Sequence, residues 1–257
     1  MQIMSAYSPA KSLSRKVMRR VTPLRRRRVL SFDIDRPVVS FTFDDCPKSA
    51  ITHGLRPMEK EGWLGTVYIA ARLFGVTNHH GLHMNGADTK AVYKSGHEIG
   101  DHGYSHIDGN RTALPAFLSD MDMNQTVLSD LGLPPCKTFA YPFGEASPKL
   151  KLSLESRFTG MRGIQPHAMV GQADLNQIAS TKLYNGPDFD RAMGQIQNLK
   201  NMPAWLTLFT HDIQDNPSEW GCTPAQMKAT IEAVKETGAI VLPVCEAIDY
   251  LRTRVKS

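Results

Sequence analysis

Val38-Val39-Ser40-Phe41-Thr42-Phe43-Asp44-Asp45 is a β-branched and aromatic run that stops abruptly at two carboxylates. Such a run reads as a buried strand, and the charge at its end marks where the strand leaves its core. A similar junction lies in His97-Glu98-Ile99-Gly100-Asp101-His102-Gly103-Tyr104-Ser105-His106. His102 and His106 stand four apart, a spacing that lets two imidazoles converge on one cation if the segment turns helically. One carboxylate and two imidazoles with an open position describe a catalytic, not a structural, divalent-metal site. Asp45, His102 and His106 are therefore the candidate ligands, with zinc the default ion, and Asp44 is left over as a base. A second role for Asp44, orienting a ligand imidazole, stays open.

Working outward, strand-like segments at 38–43, 65–70, 97–101, 137–141, 158–163, 205–210 and 239–243 alternate with helix-like ones. The latter lie near 49–61, 87–95, 114–131, 147–156, 188–200, 224–237 and 245–254. Thr223-Pro224 reads as a helix cap followed by a first-turn proline. This alternation predicts a parallel sheet with crossover helices, in which chemistry collects at the carboxyl ends of strands. Asp44 and Asp45, then His102 and His106, Tyr141-Pro142-Phe143-Gly144, Arg162, and His211-Asp212 each follow a different strand candidate, so one mouth can gather them. An imidazole at a strand end, such as His211, can protonate a leaving amine. A lone histidine is more often structural, so its case rests on sharing the mouth and on the resemblance given below. Phe209, two residues earlier, points to the same side and can wall a small acyl group. The cluster His79-His80-Gly81-Leu82-His83 reads as a loop that competes for the metal or contacts substrate at the rim. Cys46 beside the carboxylates is a further ligand candidate, although the set is complete without it.

The totals bound this reading. The chain has 257 residues, 41% of them hydrophobic and 21% charged, as in ordinary globular proteins, and no apolar run long enough to span a membrane. Its net charge of +5 is uneven. Residues 1–28 hold nine bases and no acid, which leaves 21 Lys and Arg against 25 Asp and Glu, a body of −4. Nucleic-acid binding is thus a poor reading of the basic pI. No apolar stretch follows these bases as a secretion signal requires. Residues 1–35 therefore read as a basic, unstructured arm and 36–257 as one catalytic domain. Cytoplasmic placement is expected, with the arm drawn to an anionic inner membrane face at about 1 kcal/mol per base. Four widely spaced cysteines without a Cys-x-x-Cys pair read as free thiols.

With these residues in hand, the chain resembles the polysaccharide deacetylases with the NodB-homology domain, carbohydrate esterase family 4. The resemblance is carried, in the family's order, by four motifs: Thr42-Phe43-Asp44-Asp45, Gly96 to His106, Phe139-Ala140-Tyr141-Pro142-Phe143-Gly144 and Leu208-Phe209-Thr210-His211-Asp212. It implies an α/β fold, a distorted (β/α)7-type barrel, and hydrolysis of N-acetyl groups from N-acetylglucosamine-type residues of a polysaccharide. Asp44 matches the family's base, Asp45, His102 and His106 its metal ligands, and His211 its acid. The backbone N–H of Phe143 matches the oxyanion donor, with Tyr141 and Phe209 beside the substrate. The metal implied is zinc, with cobalt or manganese as alternatives.

Three departures matter. Cys46 stands where glycine is usual, which is expected to narrow the mouth. Ala140 replaces the arginine that buttresses the base, and Arg162 or Lys182 is expected to supply that charge instead. The tryptophan-bearing motif has no counterpart in 164–187. Gly221-Cys222-Thr223-Pro224 is similar to the bacterial exopolysaccharide and holdfast-type branch. An O-acetyl esterase, a small-substrate amidase and a non-catalytic glycan-binding relative are the rival readings, and a homodimer is left open.

Overall fold

The computed structural model describes residues 19–255. Its frame is an eight-stranded parallel sheet that curls into an open barrel. β1 (Val29–Ser31) precedes the first barrel strand, β2 (Val38–Asp44). Every residue of β2 is buried, as expected of a parallel strand covered on both faces. Period-two alternation divides it: Val39, Phe41 and Phe43 pack under the helices, while Ser40, Thr42 and Asp44 share the opposite face. On that polar face Ser40 and Thr42 are both satisfied. Ser40 Oγ accepts from Trp205 Nε1 at 3.1 Å and Thr42 donates to the Leu208 carbonyl at 2.9 Å.

After β2 the chain forms α1 (Lys48–Ala50), a π turn at Ile51–Leu55 and α2 (Arg56–Lys60). This helix crosses the sheet where Gly54 meets Phe43; a Cβ there would stand 2.6 Å from the ring. Next come β3 (Thr66–Ile69), a two-residue hairpin of β4 (Thr77–Asn78) and β5 (Gly81–Leu82), α3 (Gly86–Lys94), β6 (Glu98–Asp101), α4 (Leu114–Asp130) and β7 (Thr138–Ala140). The chain continues through α5 (Pro148–Leu154), β8 (Gly160–Arg162), β9 (Gln172–Asp174), β10 (Thr181–Lys182), α6 (Pro187–Asn198) and β11 (Trp205–Thr210). It closes with α7 (Pro224–Glu236), β12 (Ile240–Val241) and α8 (Val244–Arg252). The sheet order is β10-β11-β2-β3-β6-β7-β8, with β12 also paired to the start of β2. Thr223 caps α7 in a reciprocal pair with Gln226, the signal that Thr223-Pro224 carries. No helix among the described residues is long and apolar enough to cross a membrane.

The expected basic arm over 1–35 needs correction. Residues 1–18 lie outside those described, but from residue 19 the chain is built into the body. β1 pairs antiparallel with β9, and Phe32 is fully buried in a second core cluster. The Arg28 guanidinium donates to the carbonyls of Glu155, Phe158 and Thr159 at 2.7–2.9 Å. Lys151, itself buried, holds the Thr22 and Arg25 carbonyls and the Asp174 carboxylate. Arg28 is thus a structural ligand of carbonyl groups, while Arg25, Arg26 and Arg27 before it stay exposed.

Candidate active site

The strand ends do share one mouth, and Asp45 stands at its centre. Alternation along β2 turns Asp44 to the barrel interior, and the chain then breaks into two left-handed residues, Asp45 and Cys46, each at φ 56°. Left-handed backbone in non-glycine residues costs of order 1–3 kcal/mol each and persists only where its surroundings impose it. Of the five such residues described, four lie in this region: Asp45, Cys46, His106 (φ 51°) and Phe143 (φ 59°). Cys46 directs its thiol into the core, where Sγ reaches the carbonyls of Phe43 and Tyr68. Burial pushes that thiol far up. Cys46 therefore neither narrows the mouth nor offers a ligand, which corrects both expectations.

Asp45 Oδ1 lies 3.6 Å from His106 Nε2 and 3.8 Å from His102 Nε2, and it is buried with no hydrogen-bond partner. Burial alone would raise this carboxyl; His106 and His102, more than His211 and His80, hold it well below the usual carboxylate range. His102 Nδ1–H donates to the Ala140 carbonyl at 2.8 Å, which fixes the tautomer and leaves Nε2 as an electron-pair donor. Burial, with His106 adding, pushes His102 down to about 3, so its ring is neutral. An orphaned carboxylate oxygen facing two imidazole nitrogens fits a divalent cation. The convergence is not helical, however. His102 to Asp108 form an irregular loop held by carboxylates. Asp101 accepts from Gly103 N, Asn124 and Gln125, and Asp120 accepts from the N–H groups of Tyr104 and Ser105.

Asp44 and Arg162 form the floor. The Arg162 guanidinium binds Asp44 Oδ2 directly, and both side chains are buried. It lies between two rings, 4.6 Å from the centre of Phe209 and 5.3 Å from that of Tyr68. Arg162 thus stands where a cation is wanted after the loss of arginine at Ala140. Lys182 does not: its ammonium turns outward to Asp188 at 3.8 Å and lies over the Tyr184 ring. Phe209 serves as a platform for Arg162 and Tyr184, not as an exposed acyl wall. Tyr141 is corrected as well, because its side chain points into the core and donates to the Asn176 carbonyl at 3.0 Å. Phe143 packs edge-on against His106, with ring centres 4.3 Å apart, at the mouth.

The opposite flank joins residues that the sequence showed only separately. His211 follows β11, and its Nδ1–H donates to the Trp220 carbonyl at 3.1 Å. Burial pushes it down to about 4, against the opposing pull of Asp44. His80, from the β4–β5 hairpin, stacks on His211 with ring centres 4.9 Å apart and planes 13° from parallel. His80 Nδ1–H reaches Asp212 Oδ1 at 3.0 Å, with Ser218 Oγ equally close. Burial would raise Asp212, but hydrogen bonds from His80 and Ser218 hold it at about 2. Trp220 lies against His79 and His80, so an indole stands at the mouth from a segment other than 164–187. Three histidines within five residues, and an aspartate directly after His211, were the available signals.

Comparison with known proteins settles the ancestry. The family profile described as polysaccharide deacetylase matches residues 33–162. The chain belongs to that family. Among solved structures it is similar to the chitin deacetylase from Colletotrichum lindemuthianum, with 17% identity and a TM-score of 0.60 over 84% of this chain and 89% of that one. It is similar also to a family 4 acetyl xylan esterase from Clostridium thermocellum in complex with a cobalt ion, with 20% identity and a TM-score of 0.60 over 83% and 91%. A carbohydrate esterase family 4 pseudoenzyme from Bacillus anthracis, 16% identical, gives 0.59 over 84% and 66%. At these identities the structures share the fold, the curled (β/α) barrel. No curated protein gives a significant match.

Proposed function

We propose that this polysaccharide deacetylase is a metal-dependent hydrolase that removes N-acetyl groups from N-acetylglucosamine-type residues of a bacterial exopolysaccharide. The observation that carries the reading is the state of Asp44. Arg162 holds one of its oxygens, while the other, Oδ1, is buried without a hydrogen-bond partner. That is the condition of a base held in one orientation, with one acceptor still open for the proton of an attacking water. Asp45, His102 and His106 would hold the cation, zinc or else cobalt or manganese. When bound it supplies Lewis-acid polarisation of the acetyl carbonyl and lowers the pKa of water toward ~7.

The remaining steps belong to the protein. Asp44 Oδ1 takes one proton as water adds to the carbonyl, and the backbone N–H of Phe143 is assigned to the developing oxyanion by the family motif. With His211 Nδ1–H given to Trp220, the proton for the departing nitrogen leaves from Nε2. Acetate and a free amine result. Because burial keeps His211 neutral near pH 7, its Nε2 takes the second proton of the attacking water as negative charge builds beside it, and passes that proton to the departing nitrogen. That same property favours one second reading, cleavage of an O-acetyl ester, whose alkoxide leaves with less help than an amine. Acetate release from N-acetyl and O-acetyl sugar oligomers by the same zinc-loaded protein separates the two. Asp44→Asn is expected to lower turnover by about 10²–10⁴-fold with the fold intact. Full activity in that variant would dismiss Asp44 as base.

The proposal includes a cytoplasmic enzyme whose basic N-terminal residues favour an anionic membrane face. Arg28 is fastened inside the body, so removal of residues 1–18 is the cleaner test. Unchanged binding to phosphatidylglycerol vesicles would refute it.

A further inference from the structure

Asp45 belongs to two constellations, not one. A nitrogen each from His80 and His211, and a carboxylate oxygen of Asp45, lie within 4.8 Å of one another, as do Asp45, His102 and His106. Nδ1–H of His80 is given to Asp212 and that of His211 to the Trp220 carbonyl, so Nε2 is the nitrogen each ring has left. Carboxylate behind imidazole is the outer arrangement that orients metal-binding histidines. Here it is itself supported: Asp212 also accepts from Ser218 N at 2.8 Å and Gln214 Nε2 at 2.9 Å. His79 and Trp220 cover His80, with His79 4.0 Å and Trp220 5.6 Å from it between ring centres. Ring nitrogens and a carboxylate that converge without positive charge between them repel one another.

We propose that Asp45, His80 and His211 form a second divalent-cation position, bridged to the first through Asp45, whose occupation silences His211. Two cations sharing one carboxylate stand about 3.5–4 Å apart in known two-metal sites. Among the described residues Asp45 is the only carboxylate offered to both, since Asp44 is held by Arg162 and Asp212 acts through His80. The second position therefore binds more weakly than the first and fills only when metal is in excess. An ion there takes the Nε2 electron pair of His211, the atom from which the leaving group is to be protonated. The silencing rests on the role given to His211 above; the binding itself does not.

The test is a zinc titration of the full chain after chelator treatment, followed by calorimetry, with metal content measured after desalting. Two equivalents are expected, the second weaker, and acetate release should fall by roughly a hundredfold as the second fills, the scale of a lost general acid. His106→Ala should remove the tight equivalent and His80→Ala the weak one, with thermal melting to confirm folding. A single equivalent in the natural protein overturns the proposal, whether or not either variant folds. So does one equivalent weakened alike by both substitutions, which would mean a single ion shared by the whole cluster. Two equivalents without loss of turnover would refute the silencing. Absence of any zinc binding would instead defeat the metal-dependent reading as a whole.

Discussion

The two flanks of Asp45 are built differently. On one side His102 and His106 come from a single loop, four residues apart, and are braced by Asp101 and Asp120 a few residues away in space. On the other, His80 comes from a hairpin, His211 from a strand end, and Asp212, Ser218 and Trp220 from the loop after it. The first flank presents lone pairs to a carboxylate and little else. The second interposes a stacked pair of imidazoles with a carboxylate relay behind it. The same ring type is thus set to different work by what its Nδ1–H meets: a strand carbonyl at His102, a buried carboxylate at His80.

Arg162 tests what the flanks share. It closes the floor beneath both, and its partner Asp44 is almost fully buried. Arg162→Ala strands that carboxylate, and removing one member of a buried ion pair typically costs about 3–5 kcal/mol. Urea unfolding should show that loss, and acetate release should drop with it because Asp44 is no longer oriented. Stability within about 1 kcal/mol of the natural protein would show that Arg162 is replaceable there. Smaller, one-sided effects should follow from the supports. Asp120→Ala removes the acceptor for Tyr104 N and Ser105 N, and should weaken tight zinc binding by roughly 10–100-fold, as loss of outer support does. Gly221→Ala places a Cβ against the Asp212 backbone, with the carboxyl carbon 2.7 Å away. It should cost about 1–3 kcal/mol by overpacking and disturb only the His80 flank, leaving tight zinc binding intact. If each substitution damages both flanks equally, the division between them is wrong.

What was legible follows the same divide. Every barrel strand expected from hydrophobic runs is present, because a strand buried on both faces leaves a continuous apolar signature. Asp45, His102 and His106 were readable since local spacing put two of the three together. The two-residue strands β4, β5 and β10 were not expected, being too short to carry a period. β1 and Arg28 were hidden because a run of bases reads as solvated unless one sees the carbonyls it caps. Tyr141 was misassigned because a motif fixes where the backbone goes but not which way the ring turns. Asp212 and His80 were missed as a pair because their 132-residue separation leaves no pattern in a linear chain.

The smallest expected effect lies beneath the first flank, in Glu98, a buried carboxyl in the same motif as His102. It accepts from Thr66 Oγ1 and Cys245 N through one oxygen and from Thr138 Oγ1 through the other. Burial outweighs those bonds and raises its pKa above 4.5. A group raised on folding gives its full contribution below the unfolded value and loses it as pH climbs through the folded one. The natural protein should therefore shed a little stability as pH rises from about 4.5, from this residue alone. Glu98→Gln cannot ionise, yet its amide oxygen can serve Thr66 and Cys245 while its amino group donates to Thr138. Melting temperatures of the two proteins, compared from acid to neutral pH, should diverge in favour of glutamine as pH rises. Parallel curves would mean that Glu98 is held as a carboxylate at no cost, and that the floor under His102 is more polar than its burial indicates.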